Sequence, residues 1–120
     1  MNNSTRLIAV FSTVAVIFAA LVSCGRPDNV SESGYNAAVR IIQIADDYLD
    51  YKISSEEAGK MLDEIEKRNP FHSDEYDGDL TISIYFTSLS WGVHGFSGYG
   101  ESEVLEARNI IAKEINKTER

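Results

Sequence analysis

The chain has one cysteine, two histidines and few basic residues, and each scarcity excludes a class of protein. A single cysteine cannot close a disulfide within the chain, so the folded domain must be stabilised by packing. His72 and His94 form neither an HxxxH nor an HExxH pattern, so no zinc site is predicted. With 11 Lys and Arg against 19 Asp and Glu, a formal net charge of −8, the chain lacks the positive charge needed to bind nucleic acid or anionic lipid surfaces.

The first part of the chain has the layout of a secretory signal. A short polar start that contains Arg6 precedes an apolar run from Leu7 to Val22, in which only Ser12 and Thr13 are polar. A membrane-spanning helix requires about 20 consecutive apolar residues, and this run is shorter. A signal peptide over residues 1–23 is therefore the favoured interpretation.

The end of this segment, Leu21, Val22, Ser23 and Cys24, resembles the lipobox of bacterial lipoproteins. The resemblance implies that the lipoprotein signal peptidase recognises residues 21–23 and cuts before Cys24, whose sulfur carries a diacylglyceryl group. It also implies a lipid-anchored protein on the extracytoplasmic side of a bacterial cell membrane. Two or more acyl chains hold a protein firmly, whereas a single chain gives only marginal binding. The resemblance covers these 24 residues and says nothing about the rest of the chain.

Three segments follow from this interpretation. Residues 1–23 are removed, residues 24–34 form a flexible tether rich in turn-forming residues, and residues 35–120 form one small domain. Because Arg6 is the only charged residue before Cys24, the mature chain of 97 residues has a formal charge of −9. A chain of this length can bury a core but encloses no large cavity.

Apolar residues at spacings of three and four predict an amphipathic helix over residues 35–51. Ser54 and Glu57 have the spacing of a capping box, so a second helix is predicted to begin there and to stop at Asn69-Pro70. Because few residues separate the two helices, they are predicted to form an antiparallel hairpin. A third amphipathic helix is predicted over residues 101–116, with Val104, Ala107, Ile111 and Ile115 on its inward face.

Acidic residues cluster in two places. Asp46, Asp47 and Asp50 are conceivable cation ligands, but a solvated acidic face is the favoured interpretation. The acidic segment 71–79 fails the calcium-loop pattern because Ile84 stands where a bidentate Glu is needed. The dipeptide Asp77-Gly78 predicts a tight turn instead.

Residues 80–89 alternate between apolar and polar side chains and are rich in β-branched and aromatic types. The alternation predicts a half-buried strand, which would pair with residues 71–76, with part of residues 91–97, or with a second copy of the chain. The predicted fold class is therefore α+β: a helix hairpin, one strand or β-hairpin, a Gly- and aromatic-rich loop, and a C-terminal helix.

The loop over residues 90–100 holds four glycines together with Trp91, His94, Phe96 and Tyr99. It lacks the GxxxxGK[ST] and GxGxxG patterns of phosphate-binding loops, and no cofactor is indicated. Flat aromatic faces on a flexible loop suit the binding of glycans, peptides or an apolar protein patch. The alternative is that these rings fold back over the core as a lid, since small domains need every large apolar group.

Three hypotheses for function remain open. The leading hypothesis is a non-enzymatic lipoprotein that binds an envelope protein or glycan through the loop and its acidic surface. The second is a structural or assembly module that forms a homodimer through the edge of the predicted strand. The third is a small envelope hydrolase using Ser97 and His94, which is disfavoured because Tyr99 stands where the GxSxG pattern requires its last glycine.

Overall fold

The computed structural model describes residues 25–120 of the chain. This part folds into four helices, and the predicted signal peptide and lipobox, including Cys24, lie outside it. The helices are α1 (Glu32–Leu49), α2 (Ser55–Lys67), α3 (Asp77–His94) and α4 (Glu101–Glu114).

The predicted α+β fold class is wrong. Residues 25–120 contain no strand, and the segment predicted as a strand, residues 80–89, lies within α3. The helix buries Ile82, Phe86, Leu89 and Val93, which follow one another at spacings of four, three and four. Packing of this face outweighs the strand preference of the β-branched and aromatic residues. The homodimer through a strand edge loses its structural basis, since the described residues offer no such edge.

The ends of α3 show why this segment is stable as a helix. Asp77 and Asp79 lie in the first turn, where negative charge interacts favourably with the helix dipole. The dipeptide Asp77-Gly78 thus begins the helix instead of forming the predicted tight turn. At the other end Gly95 takes a left-handed conformation with φ 72°, a common way to terminate a helix.

Helix α1 begins before the boundary predicted for the domain. The hydroxyl of Ser31 accepts a hydrogen bond from the backbone N–H of Gly34 at 2.9 Å and so caps the helix. Val30 is fully buried in the core. The last part of the segment predicted as a tether, residues 30–34, therefore belongs to the packed domain.

The predicted capping box of α2 is confirmed. The Ser54 hydroxyl accepts from the backbone N–H of Glu57 at 3.1 Å, and the Glu57 carboxylate accepts from the backbone N–H of Ser54 at 3.5 Å. The helix ends at Lys67, just before Asn69 adopts a positive φ of 48°. Helices α1 and α2 pack against each other across the short connection 50–54.

One apolar core joins all four helices. Helix α1 contacts each of the other three, and the most extensive contact is between α3 and α4. These two helices approach closely at Gly92, where the absence of a side chain leaves room for Val104. A Cβ atom at Gly92 would lie 2.6 Å from Cγ2 of Val104. The predicted inward face of α4 is confirmed, since Val104, Ala107 and Ile111 are buried, as is Ile115 directly after the helix.

Candidate functional site

Helix α3 is apolar on the side that faces solvent as well as on the side that faces the core. Leu80, Ile84 and Trp91 are 50%, 54% and 40% exposed, and Thr87 lies between them in the same row. Their spacings of four, three and four residues place them on one side of the helix, which we call the outer face of α3. No charged residue occurs between Leu80 and Val93, although charged residues make up 25% of the chain.

A helix with apolar residues on two opposite sides is normally covered on both. In α3 the inward side packs on α1, α2 and α4, whereas the outer face has no cover among the described residues. Isolated exposed apolar side chains are ordinary in soluble proteins, but a continuous row over three turns is a feature of interaction surfaces.

The four residues predicted as a binding loop are brought together at the C-terminal end of this face. Trp91 and His94 lie in the last turns of α3, and Phe96 and Tyr99 lie in the connection to α4. The ring centroids of Trp91 and Tyr99 are 5.2 Å apart in an edge-on arrangement, and those of Trp91 and Phe96 are 6.4 Å apart. The imidazole of His94 stacks on Phe96 at 6.0 Å. We call these four residues the aromatic cluster.

The aromatic cluster is not a lid over the core. Phe96 is 53% exposed, and Trp91 is an exposed member of the outer face. The rings contact one another at the surface, so they extend the apolar row of α3 beyond the end of the helix.

Carboxylates border the aromatic cluster and the C-terminal half of α3. On the α2 side, Asp63 lies 3.4 Å from Nε2 of His94. On the α4 side, Glu103 and Glu106 line a cavity of about 180 Å³ together with Tyr85, Ser88 and Tyr99. The backbone N–H of Gly100 donates to the Glu103 carboxylate at 2.7 Å, and this hydrogen bond lowers the pKa of Glu103 below its usual value. Both flanks therefore carry negative charge at neutral pH.

The arrangement that a hydrolase would need does not form around Ser97. His94 faces Asp63 and Phe96, and no hydrogen bond joins Ser97 to His94 in residues 25–120. No group of three or more His, Cys, Asp or Glu in the same residues is placed to hold a metal ion. The side chains gathered at this surface are apolar and aromatic, with carboxylates at their borders.

The conceivable cation site in α1 is occupied by basic side chains of the chain itself. The carboxylate of Asp46 accepts from Nε and Nη2 of Arg108 at 2.8 and 3.1 Å. Arg120 donates to Asp46 at 3.1 Å and to Asp50 at 2.6 Å. The acidic end of α1 thus holds α4 and the C-terminal segment in place.

The sequence interpretation missed Leu80 and Ile84 as surface residues. A strand would have placed them on the same side as Ile82 and Phe86, whereas the helix places them opposite. The available signal was the spacing of Ile82, Phe86 and Leu89, which fits a helix as well as the alternation fits a strand.

Comparison of the chain with protein-family models, with curated proteins and with solved structures finds no match. Among the described residues, none of the helices is long and apolar enough to cross a bilayer.

Proposed function

We propose that this chain is a lipid-anchored, non-enzymatic docking module of a bacterial cell envelope, which binds an amphipathic helix of a partner protein along the outer face of α3. The observation that carries the proposal is the exposed, uncharged row formed by Leu80, Ile84, Thr87 and Trp91. The lipid anchor rests on the lipobox residues 21–24.

The geometry of the outer face suits a helix. Its residues span three turns, or about 16 Å at 1.5 Å per residue, and apolar anchors at spacings of three and four match those of a helix laid alongside. The aromatic cluster lies at one end and offers large, rigid rings, the kind of side chain that dominates binding energy at protein interfaces.

The flanking charges specify the partner's chemistry. Asp63 on one side and Glu103 and Glu106 on the other favour a helix whose apolar row is bordered by Lys and Arg. A second copy of the chain would set carboxylates against carboxylates in two molecules that each carry a formal charge of −9 after cleavage. A basic amphipathic helix is therefore the occupant that the charges favour.

A photo-crosslinking experiment in cells of a bacterial host tests the docking site. Benzoylphenylalanine is placed at Ile84 in the full chain, and at Val39, which is exposed on α1, as the matched control. We expect a crosslink from position 84 and none from position 39. Mass spectrometry must place the crosslink in a segment of the partner that has an apolar row and Lys or Arg at its borders.

Other crosslinks from position 84 contradict the proposal. A crosslink to a second copy of the chain would show self-association, and a crosslink to lipid would show adsorption to the membrane. The substitution Leu80→Lys should abolish the partner crosslink, whereas Leu105→Lys on α4 should leave it intact, because Leu105 is also exposed but lies outside the outer face.

The anchor is tested separately. The substitution Cys24→Ser should abolish labelling of the chain by palmitate and release it from the membrane fraction. Retention in the membrane without acylation would contradict the lipid anchor but would leave the docking proposal open to its own test.

A further inference from the structure

A groove of about 510 Å³ between α1, the end of α2 and the segment that follows is distinct from the outer face of α3. Its floor is apolar, with Ala37 and Ile65 nearly buried, and Pro70 forms part of its wall. Arg40 and Arg68 are among its lining residues.

The lining of this groove is basic in an acidic protein. The described residues that line it include Arg40, Arg68 and His72 but no Asp or Glu. Arg40 donates to the amide oxygen of Gln43 at 2.9 Å and to the sulfur of Met61 at 3.4 Å, both uncharged acceptors. Within residues 25–120, neither Arg40 nor Arg68 forms an ion pair, whereas Arg108 and Arg120 both pair with carboxylates.

The charge changes sign at the other end of the groove. An adjoining depression shares Ser33, Asn36 and His72 with it but also includes Glu32 and Glu75. An anion is therefore favoured at the arginine end and disfavoured at the far end. Ser33 and Asn36 line both depressions. The Ser33 hydroxyl donates to the carbonyl oxygen of Pro70 at 2.6 Å, so the Asn36 amide is the group that can donate to a ligand here.

We propose that this groove binds a small organic carboxylate, with the carboxylate held by Arg40 and Arg68 and an apolar body on Ala37, Ile65 and Pro70. The planar guanidinium fork matches a carboxylate in geometry as well as in charge. The apolar floor distinguishes this ligand class from inorganic anions, which have no apolar surface to bury.

The test uses hexanoate and its uncharged counterpart hexanamide with the full chain in lipid nanodiscs. Amide chemical shifts of Ala37 and His72 should move saturably with hexanoate, and hexanamide should bind at least about tenfold more weakly, because it cannot form the charge-assisted hydrogen bonds. The substitutions Arg40→Gln and Arg68→Gln should each weaken hexanoate binding by about tenfold.

The matched control is Lys67→Gln, which removes a positive charge next to Arg68 from a residue that does not line the groove. Its affinity for hexanoate should stay within about twofold of the unsubstituted chain. Unchanged amide shifts elsewhere in each variant show that it is folded.

Three results would overturn the assignment. Equal affinity for hexanamide would show that the groove binds through apolar contacts alone. Unchanged hexanoate affinity in the Arg40 and Arg68 variants would show that the ligand binds elsewhere. Displacement of hexanoate by an equal concentration of inorganic phosphate would show an anion site that makes no use of the apolar floor.

Discussion

The carboxylate of Asp79 accepts hydrogen bonds from both the backbone N–H and the side-chain hydroxyl of Ser31, although the two residues are 48 positions apart. The same carboxylate accepts from the backbone N–H of His72 at 2.8 Å. Asp79 is 0% exposed, so one buried group joins the start of α1, the start of α3 and the segment before α3. Gly34 is required beside it, because a Cβ atom there would lie 2.6 Å from the carboxylate.

Replacing Asp79 should destabilise the fold strongly. In Asp79→Asn one acceptor oxygen becomes an NH₂ donor that faces another donor, so we expect the free energy of unfolding to fall by about 2–4 kcal/mol. Urea denaturation measures the change. Asp74→Asn removes the same charge from an exposed position and should cost less than about 0.5 kcal/mol. Equal losses in the two variants would contradict the role of the buried carboxylate.

Two isoleucines distinguish a helical from an extended α3 segment. Ile82 is fully buried and Ile84 is exposed, whereas a strand would place both on one side. Ile82→Ala should cost about 2–5 kcal/mol of unfolding free energy, and Ile84→Ala less than about 0.5 kcal/mol. Losses of similar size from both substitutions, measured in the same denaturation experiment, would favour the strand.

The pair formed by Asp46 and Arg108 should make stability depend on pH in the acid range. Burial alone raises the pKa of Asp46, but the hydrogen bonds and charges of Arg108 and Arg120 outweigh it and lower the pKa below 3.8. The pKa of Asp46 is lower in the folded state than in the unfolded state. The ion pair therefore stabilises the fold fully above the pKa of the unfolded state, and this stabilisation is lost as the pH falls through the pKa of the folded state.

Asp46→Asn should therefore cost about 2 kcal/mol at pH 7, and the difference from the unsubstituted chain should shrink below about pH 4. Denaturation at both pH values measures it. The neighbouring substitution Asp47→Asn removes a charge that forms no ion pair in the described residues, so its smaller effect should not follow this pH dependence. A difference that persists unchanged at pH 3 would show that the ion pair is not the cause.

The contact between α3 and α4 depends on the absence of a side chain at position 92. In Gly92→Ala the new methyl group would meet Val104 at 2.6 Å and the carbonyl oxygen of Gly100 at 3.0 Å. Alanine has a helix propensity about 1 kcal/mol better than glycine, yet we expect a net loss of about 1–3 kcal/mol from overpacking. Thermal unfolding checks the sign, and a higher midpoint for Gly92→Ala would show that the helices can separate freely.

Features with local causes could be predicted from the sequence. Ser54 and Glu57 lie three residues apart and satisfy each other's backbone groups, so the start of α2 needed no knowledge of the rest of the fold. The inward face of α4 followed in the same way from its spacing. Long-range features could not be predicted. Residues 80–89 fit the two-residue period of a strand as well as the 3.6-residue period of a helix, and only packing of Ile82 and Phe86 against the rest of the core selects the helix.

The aromatic cluster and the groove also differ in whether their residues are close in sequence. Trp91, His94, Phe96 and Tyr99 are close in sequence, so their proximity in space could be anticipated. Arg40 and Arg68 are 28 positions apart and line the same groove only because α1 packs against α2. Composition alone predicts a tether over Val30 and Ser31, whereas both are buried and Ser31 is held by the distant residue Asp79.

With Cys24 lipidated as proposed, the early start of the packed domain would limit how far from the bilayer this protein can act. Only Gly25 to Asn29 separate the proposed lipidated Cys24 from the buried Val30, and Arg26 donates to the carbonyl oxygen of Val30 at 2.8 Å. An extended chain spans at most about 3.6 Å per residue, so this segment reaches less than about 20 Å. The start of the domain would therefore stay close to the lipid headgroups, so a partner of this domain would itself be a protein held at the membrane surface.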